Sequence, residues 1–229
     1  MGDRAAKTAL FDAFASVAKA LGHGLRAEIV DVLAQGERSV EDLAIEVGQS
    51  VANTSHHLQT LTAVGLLRRR RDGTRIYYEL ASERVGHLWT ALRDVAVEHV
   101  AQVEVLAEDY LGERSGIELL TAEELTERIA KGRVVVLDVR PQSEFESGHV
   151  KGARSIPHDE ISARFGELPH SREIIAYCRG PFCVYADEAV RLLQAHGYRA
   201  RRLDEGFPEW RAAGLPIEHS ITPGAAHES

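Results

Sequence analysis

Cysteine is scarce in this chain: Cys178 and Cys183 are the only two among 229 residues. So few exclude the disulfide framework of a small secreted domain and fit a reducing compartment, so a cytoplasmic location is expected. Long apolar runs are missing as well. No stretch reaches the roughly 18 apolar residues of a membrane-spanning helix. Residues 1–10 lack the basic start and apolar stretch of a signal peptide. No membrane partner is therefore expected. Internal repeats and low-complexity segments are absent too, which excludes a solenoid. What remains is a chain with 44% hydrophobic residues, enough for two ordinary cores.

Positive charge is in overall deficit, with 27 Lys and Arg against 35 Asp and Glu and a formal net charge of −8. By itself that argues against nucleic-acid binding, but the distribution of charge matters more than its sum. Between Gly48 and Tyr78 the charged residues are Arg68, Arg69, Arg70, Arg71, Asp72 and Arg75, five cations against one anion. An acidic protein with one basic edge limits non-specific sticking and keeps one surface for phosphates.

Apolar spacing predicts a helix over 8–21 (Leu10, Phe11, Phe14, Val17, Leu21) and a second over 25–34, with Gly22, Gly24 and Gly36 as breaks. Ser39-x-x-Asp42 resembles a capping box and starts a short helix through Val47. Ser50 to Ala63 reads as a fourth helix, with Val51, Leu58 and Leu61 on its buried side. Asp72-Gly73 between two strand-like runs signals a hairpin. From Ser82 to Leu111 a single helical pattern would span roughly 40–45 Å, longer than a small domain needs, so part of it is expected to pack on a second subunit.

Helix, break, helix and basic hairpin are the layout of a winged helix-turn-helix, whose second helix enters the major groove. On that helix Ser50, Asn53, Thr54, Ser55, His56 and Gln59 carry hydrogen-bonding groups suited to base edges or phosphates. In the wing, Arg69, Arg71 and Arg75 suit phosphates or the minor groove. The segments Leu21-Gly22-His23-Gly24-Leu25-Arg26, Ser55-His56-His57-Leu58-Gln59-Thr60-Leu61, Gly65-Leu66-Leu67 and Arg71-Asp72-Gly73-Thr74-Arg75-Ile76-Tyr77-Tyr78 resemble the ArsR/SmtB family of bacterial repressors over roughly residues 8–110. The resemblance implies a homodimer on double-stranded operator DNA that an inducer releases. The chain departs from the family's metal sensors. Residues 41–47 contain no cysteine pair, and His87, Asp94, His99 and Glu104 lack the family's zinc spacing. No metal site and no cofactor are expected. Scattered polar residues on an exposed face are the plainer reading of that helix, as a solvated edge is of the arginine run.

Gly112 to Gly116 is polar and reads as a flexible linker. Beyond it the pattern changes. Thr121-x-x-Glu124 starts a helix. The apolar runs at 134–137 and 174–177 read as buried parallel strands, 187–196 as a helix and 198–203 as a third strand. Cys178 thus stands at the carboxyl end of a strand, before a tight loop and a helix. Loop amides and the helix N-terminus favour an anion there and lower a thiol's pKa. Arg179 adds a positive charge beside it. Gly180, Pro181, Phe182, Cys183 and Val184 complete the loop. Cys183 reads equally as a second thiol able to attack a Cys178 persulfide or as a small buried residue at the helix start.

The ordered motifs Val136-Leu137-Asp138-Val139-Arg140, residues 144–157, the Cys178 loop, residues 204–210 and Gly214-Leu215-Pro216 resemble the single-domain rhodaneses over roughly 117–219. The resemblance implies that Cys178 accepts sulfane sulfur from a donor and passes it on, with Asp138 and Arg140 positioning the loop. The related phosphatase and arsenate-reductase loop would need an arginine where Val184 stands, so that chemistry is excluded. An inactive domain used only for recognition remains an alternative, as does a sulfurtransferase merely tethered to a regulator. The expected fold class is a multidomain α+β and α/β chain. Its parts are a winged-helix domain at 1–111, a linker at 112–116, a rhodanese-like domain with a central parallel sheet at 117–219 and a flexible tail at 220–229. The expected partners are operator DNA, a second copy, and a sulfane-sulfur donor or other thiol-reactive small molecule.

Overall fold

The computed structural model describes residues 3–220; the expected tail lies outside them except for Ser220. The chain divides into two compact units, residues 1–93 and 94–229.

The first unit contains α1 (Arg4–Leu21), α2 (Gly24–Leu33), β1 (Arg38–Ser39), α3 (Val40–Glu46), α4 (Val51–Ala63), β2 (Leu67–Asp72), β3 (Arg75–Leu80) and the start of α5 (Glu83–His99). Side chains cap three of these helices, as the sequence predicts for the second. Asp3 accepts from the Ala5 amide, Ser39 from Asp42 and Ser50 from Asn53, each satisfying an N–H that has no partner within the helix. The strands form one antiparallel sheet in the order β1-β3-β2. Asp72 pairs with Arg75, so the two-residue turn is Gly73-Thr74. Gly73 has φ +59° at the first central position, where such a turn needs a residue without Cβ. Ile29, Leu33, Leu43, Leu58, Leu61 and Tyr78 meet in the core, and the Trp89 indole N–H donates to Asp31 at 2.6 Å.

Burial along these helices is uneven, and one expectation, that of Val51, changes. Leu10, Phe11 and Phe14 are each more than half exposed, because the core reaches α1 only at Val17, Ala20 and Leu21. Val51 is exposed too: it shares an azimuth with Leu58, but at the first turn nothing covers it.

The single helix expected from Ser82 to Leu111 is broken. Val100 takes an extended conformation (φ −109°, ψ 93°) between α5 and α6 (Ala101–Leu111). The second unit continues with β4 (Leu119–Leu120), α7 (Ala122–Ala130), β5 (Val134–Asp138), α8 (Gln142–Ser147), β6 (His149–Val150), β7 (Arg154–Ser155), α9 (Ile161–Arg164), β8 (Glu173–Tyr177), α10 (Val184–Ala195), β9 (Ala200–Leu203), α11 (Phe207–Ala212) and β10 (Ile217–Glu218). The Thr121–Glu124 capping box forms in both directions. Five strands make a parallel sheet in the order β4-β9-β8-β5-β7, and β10 pairs antiparallel with β6 in a separate two-stranded sheet. The alternation of a strand sorts its side chains between two layers. Val135, Leu137, Ile174 and Ala176 face Ala189, Val190 and Leu193 of α10. Val134, Val136, Ile175 and Tyr177 face Leu125, Phe207 and Trp210. The near-continuous apolar runs follow from burial on both faces.

Candidate functional site

The N-terminal unit presents two polar surfaces. On α4, Ser50, Asn53, His56 and Gln59 are exposed and Ser55 is half-buried. Thr54 is fully buried, and its hydroxyl has no hydrogen-bond partner among the described residues. The expected contact of Thr54 with DNA is therefore corrected: at helical spacing it shares the inner face with His57, Leu58 and Leu61. His57 lies between the rings of His23 (4.7 Å) and His56 (5.7 Å). Burial, with His23, Arg26 and His56 nearby, lowers its pKa below the ordinary 6.5.

The wing arginines do not share one face. Cross-strand partners lie on the same side of a sheet, so Arg69 (paired with Tyr78) and Arg71 (paired with Ile76) project together, and Arg75 projects oppositely. Arg75 is close to Tyr77 and feels Asp42 and Glu41, which raise its pKa. All three are exposed. Arg70 is held by Glu37 at 2.8 and 3.0 Å and by Asp72 at 3.1 Å, over the Tyr77 ring, so its charge is already balanced.

In the second unit the chain leaves β8 at Cys178 and turns through Arg179-Gly180-Pro181-Phe182 to Cys183, the N-cap of α10, which carries no side-chain cap. Cys178 and Cys183 are joined by a disulfide, with Cα atoms 6.2 Å apart. Cys178 is buried. Pro181, Phe182, Cys183 and Val184 are half-buried and Gly180 is buried. The unbonded N–H groups of the first turn of α10 point to this loop.

The loop's surroundings are made of ion pairs. Arg179 reaches fully buried Glu144 on α8 at 2.6 Å and 3.0 Å. The free positive charge expected beside Cys178 is thereby cancelled. Arg140 and Asp138 are fully buried and paired at 2.6 and 3.0 Å, and Arg140 also donates to the Gly148 carbonyl at 2.7 Å. The Tyr177 hydroxyl donates to Asp138 and accepts from the Val150 amide, so the pair acts on the residue that precedes Cys178. Burial and then Asp138 hold the Tyr177 phenol neutral, its pKa well above the usual value.

Sequence reasoning missed six residues that shape the loop. Asp187 on α10 pairs with Arg202 at 3.1 Å and with Arg114 at 2.6 Å. Arg202 donates to the Gly180 and Pro181 carbonyls, each at 2.9 Å, and Arg114 donates to Pro181 at 2.8 Å. Gly206 lies against the loop backbone, and the Phe207 amide donates to the Cys178 carbonyl. Glu144, which holds Arg179, is the sixth. One signal was available: an arginine inside a short strand between Ala200 and Leu203 has to find a buried partner.

A winged helix with a polar recognition helix, joined in one chain to a parallel sheet ending in a cysteine loop, defines a DNA-binding regulator that carries a second, α/β domain. Two family models match the chain: bacterial regulatory protein, arsR family, over residues 23–69, and rhodanese-like domain over residues 121–213. The HTH-type transcriptional regulator Rv0324 of Mycobacterium tuberculosis is 45% identical over 95% of this chain and 96% of its own length. A sulfurtransferase of Allochromatium vinosum is 31% identical over 43% of this chain and 92% of its own. The solution structure of a homodimeric winged helix-turn-helix fragment from Mycobacterium bovis is 45% identical, covering 44% of this chain and 93% of that one, with a TM-score of 0.41. The chain belongs to the arsR family of bacterial regulatory proteins: it is a transcriptional regulator that joins a DNA-binding helix-turn-helix to a rhodanese-like domain. Among the described residues, no helix is long and apolar enough to cross a membrane.

Proposed function

We propose that this regulator is a repressor whose operator affinity is set by sulfane sulfur arriving at Cys178. One observation carries the reading: Cys178 and Cys183 stand on one loop, at a helix N-terminus, close enough to bond. The thiolate is the nucleophile, and a helix N-terminus is a place that accepts an anion. The Cys178 thiolate attacks the outer sulfur of a persulfide RSSH; the Cys178 sulfur–sulfur bond forms, the R-side bond breaks and RS⁻ leaves. The Cys183 thiolate then attacks Sγ of Cys178. The disulfide closes and HS⁻ leaves with the electron pair. The sulfane sulfur gains two electrons and the two cysteine sulfurs lose one each, so the donor is itself the oxidant. A low-molecular-weight thiol reverses the reaction and becomes a disulfide in turn.

On the DNA side, Ser50, Asn53, Ser55, His56 and Gln59 of α4 meet base edges and phosphates, and Arg69, Arg71 and Arg75 meet the backbone. The exposed Leu10, Phe11 and Phe14 on α1, with Leu88 and Leu92 on α5, support a homodimer, because such apolar side chains gain by mutual burial.

The test is fluorescence anisotropy on the promoter upstream of the protein's own gene, with dithiol protein and with polysulfide-treated protein, each checked by intact mass. The reading requires an affinity change of about tenfold or more, some 1.4 kcal/mol of coupling. Closure of the disulfide with unchanged affinity would leave an ordinary sulfurtransferase beside an independent DNA-binding module.

A further inference from the structure

We propose that Arg114 is a positioning residue through which the sulfur loop grips the chain leaving α6, and that opening the Cys178–Cys183 ring loosens this grip. The inference rests on the sulfur-responsive reading above and names its route out of the loop. Arg114 lies three residues beyond Leu111, the end of α6, in a segment whose composition predicts a free linker. Its guanidinium instead makes two directed bonds, from Nε to Asp187 at 2.6 Å and from Nη2 to the Pro181 carbonyl at 2.8 Å.

Both acceptors belong to the sulfur site. Asp187 is 1% exposed and sits on the first turn of α10. Pro181 lies inside the ring that the disulfide closes, and its carbonyl also accepts from Arg202 at 2.9 Å. Two arginines, one from the sheet and one from the α6 exit, therefore converge on one carbonyl and one carboxylate. Arg202 is buried and fixed in β9, whereas Arg114 is 30% exposed. When backbone angles inside the ring change, Arg202 stays with the sheet and the Arg114 bonds are the ones that yield.

An exposed ion pair is worth little, but this one ends on a buried carboxylate, which resists losing a partner. A second tie runs alongside: Arg191 of α10 donates to the Glu113 carbonyl. Packing adds less. Phe182 of the loop and Val103, Ala107 and Leu111 of α6 line a cavity of about 800 Å³, so the polar bonds carry the connection between loop and helix.

The experiment uses the full chain as wild type, Arg114→Gln and Arg114→Lys. Each is prepared as dithiol and as disulfide, distinguished by intact mass, about 2 Da apart. Operator affinity and amide hydrogen exchange over residues 101–116 are measured in both forms. In wild type, exchange over this segment is faster in the dithiol form and operator affinity differs by about tenfold between forms. Arg114→Gln forms the disulfide to the same extent and keeps the dithiol-form affinity within about twofold, but its two forms bind alike and exchange alike. Arg114→Lys restores part of both differences, since it keeps the charge and loses the fork.

Wild-type behaviour retained by Arg114→Gln overturns the proposal, and so does exchange in wild type that ignores the ring. Wild-type affinity that ignores the ring, with exchange that follows it and depends on Arg114, overturns the regulatory reading and leaves the grip standing.

Discussion

Gly206 and Gly180 approach so closely that a Cβ on Gly206 would stand 2.3 Å from the Gly180 amide nitrogen and 2.4 Å from the Arg179 carbonyl carbon. The obstacle is backbone, and that backbone is held by Arg202 and by the Phe207 amide, which donates to Cys178. Gly206→Ala therefore costs at least the roughly 1–3 kcal/mol of an overpacked interior. It also displaces the loop. Urea denaturation of the full chain and the rate of thiol loss on polysulfide addition check both effects; a variant with unchanged stability and unchanged thiol kinetics contradicts the packing described.

Arg140→Leu removes one half of a fully buried pair and leaves the Asp138 carboxylate with the Tyr177 hydroxyl and the residue 140 amide but no cation. Stranding a buried charge costs about 3–5 kcal/mol, and the unfolding midpoint in urea falls accordingly. Arg140→Lys recovers only part of this, because one ammonium cannot bond both Asp138 and the Gly148 carbonyl in the fork geometry of Arg140.

The wing arginines should separate by their ion pairing. Arg69→Ala and Arg71→Ala each remove a cation whose expected partner is a phosphate, so each lowers the slope of log affinity against log salt by about 0.9. Arg70→Ala leaves that slope nearly unchanged, since Glu37 and Asp72 already balance its charge. Anisotropy titrations across salt concentrations with one operator duplex distinguish the three; equal slopes for all variants contradict the assignment.

His57 should titrate below the ordinary histidine value of 6.5, because burial and then His23, Arg26 and His56 oppose its charge. A pKa lowered in the folded state means that the unfolded chain binds more protons, so stability rises with pH. The contribution of His57 is complete above pH 6.5 and is lost as pH falls from there through the folded-state value. NMR titration of the ring protons gives the pKa directly, and His57→Gln flattens the acid side of the stability profile in the full chain.

What could be read from the chain follows from how local each cause is. Helix starts at Ser39, Ser50 and Thr121 are written within a few residues and form as read. Both layers of the C-terminal sheet follow from apolar runs, and the cysteine loop follows from a strand that ends at Tyr177. Thr54 and Val51 depart from the sequence pattern because helical spacing gives azimuths, while burial depends on what lies opposite: Thr54 meets the core and Val51 meets nothing. Arg114 reads as linker in the sequence because its partner Asp187 lies 73 positions away. Arg202 and Glu144 are silent in the sequence for a similar reason: their roles exist only once Asp187 and Arg179 are brought to them. The break at Val100 has no glycine or proline to mark it.

The bond between Cys178 and Cys183 closes within a single polypeptide, across a separation of five residues. Its formation is first order in protein once sulfur has arrived and draws on no thiol from another molecule. A cell holding few copies of this regulator and a cell holding many would thus reach the same oxidised fraction. That fraction depends on the ratio of sulfane sulfur to free thiol around the protein, which makes the loop a gauge of composition rather than a counter of molecules.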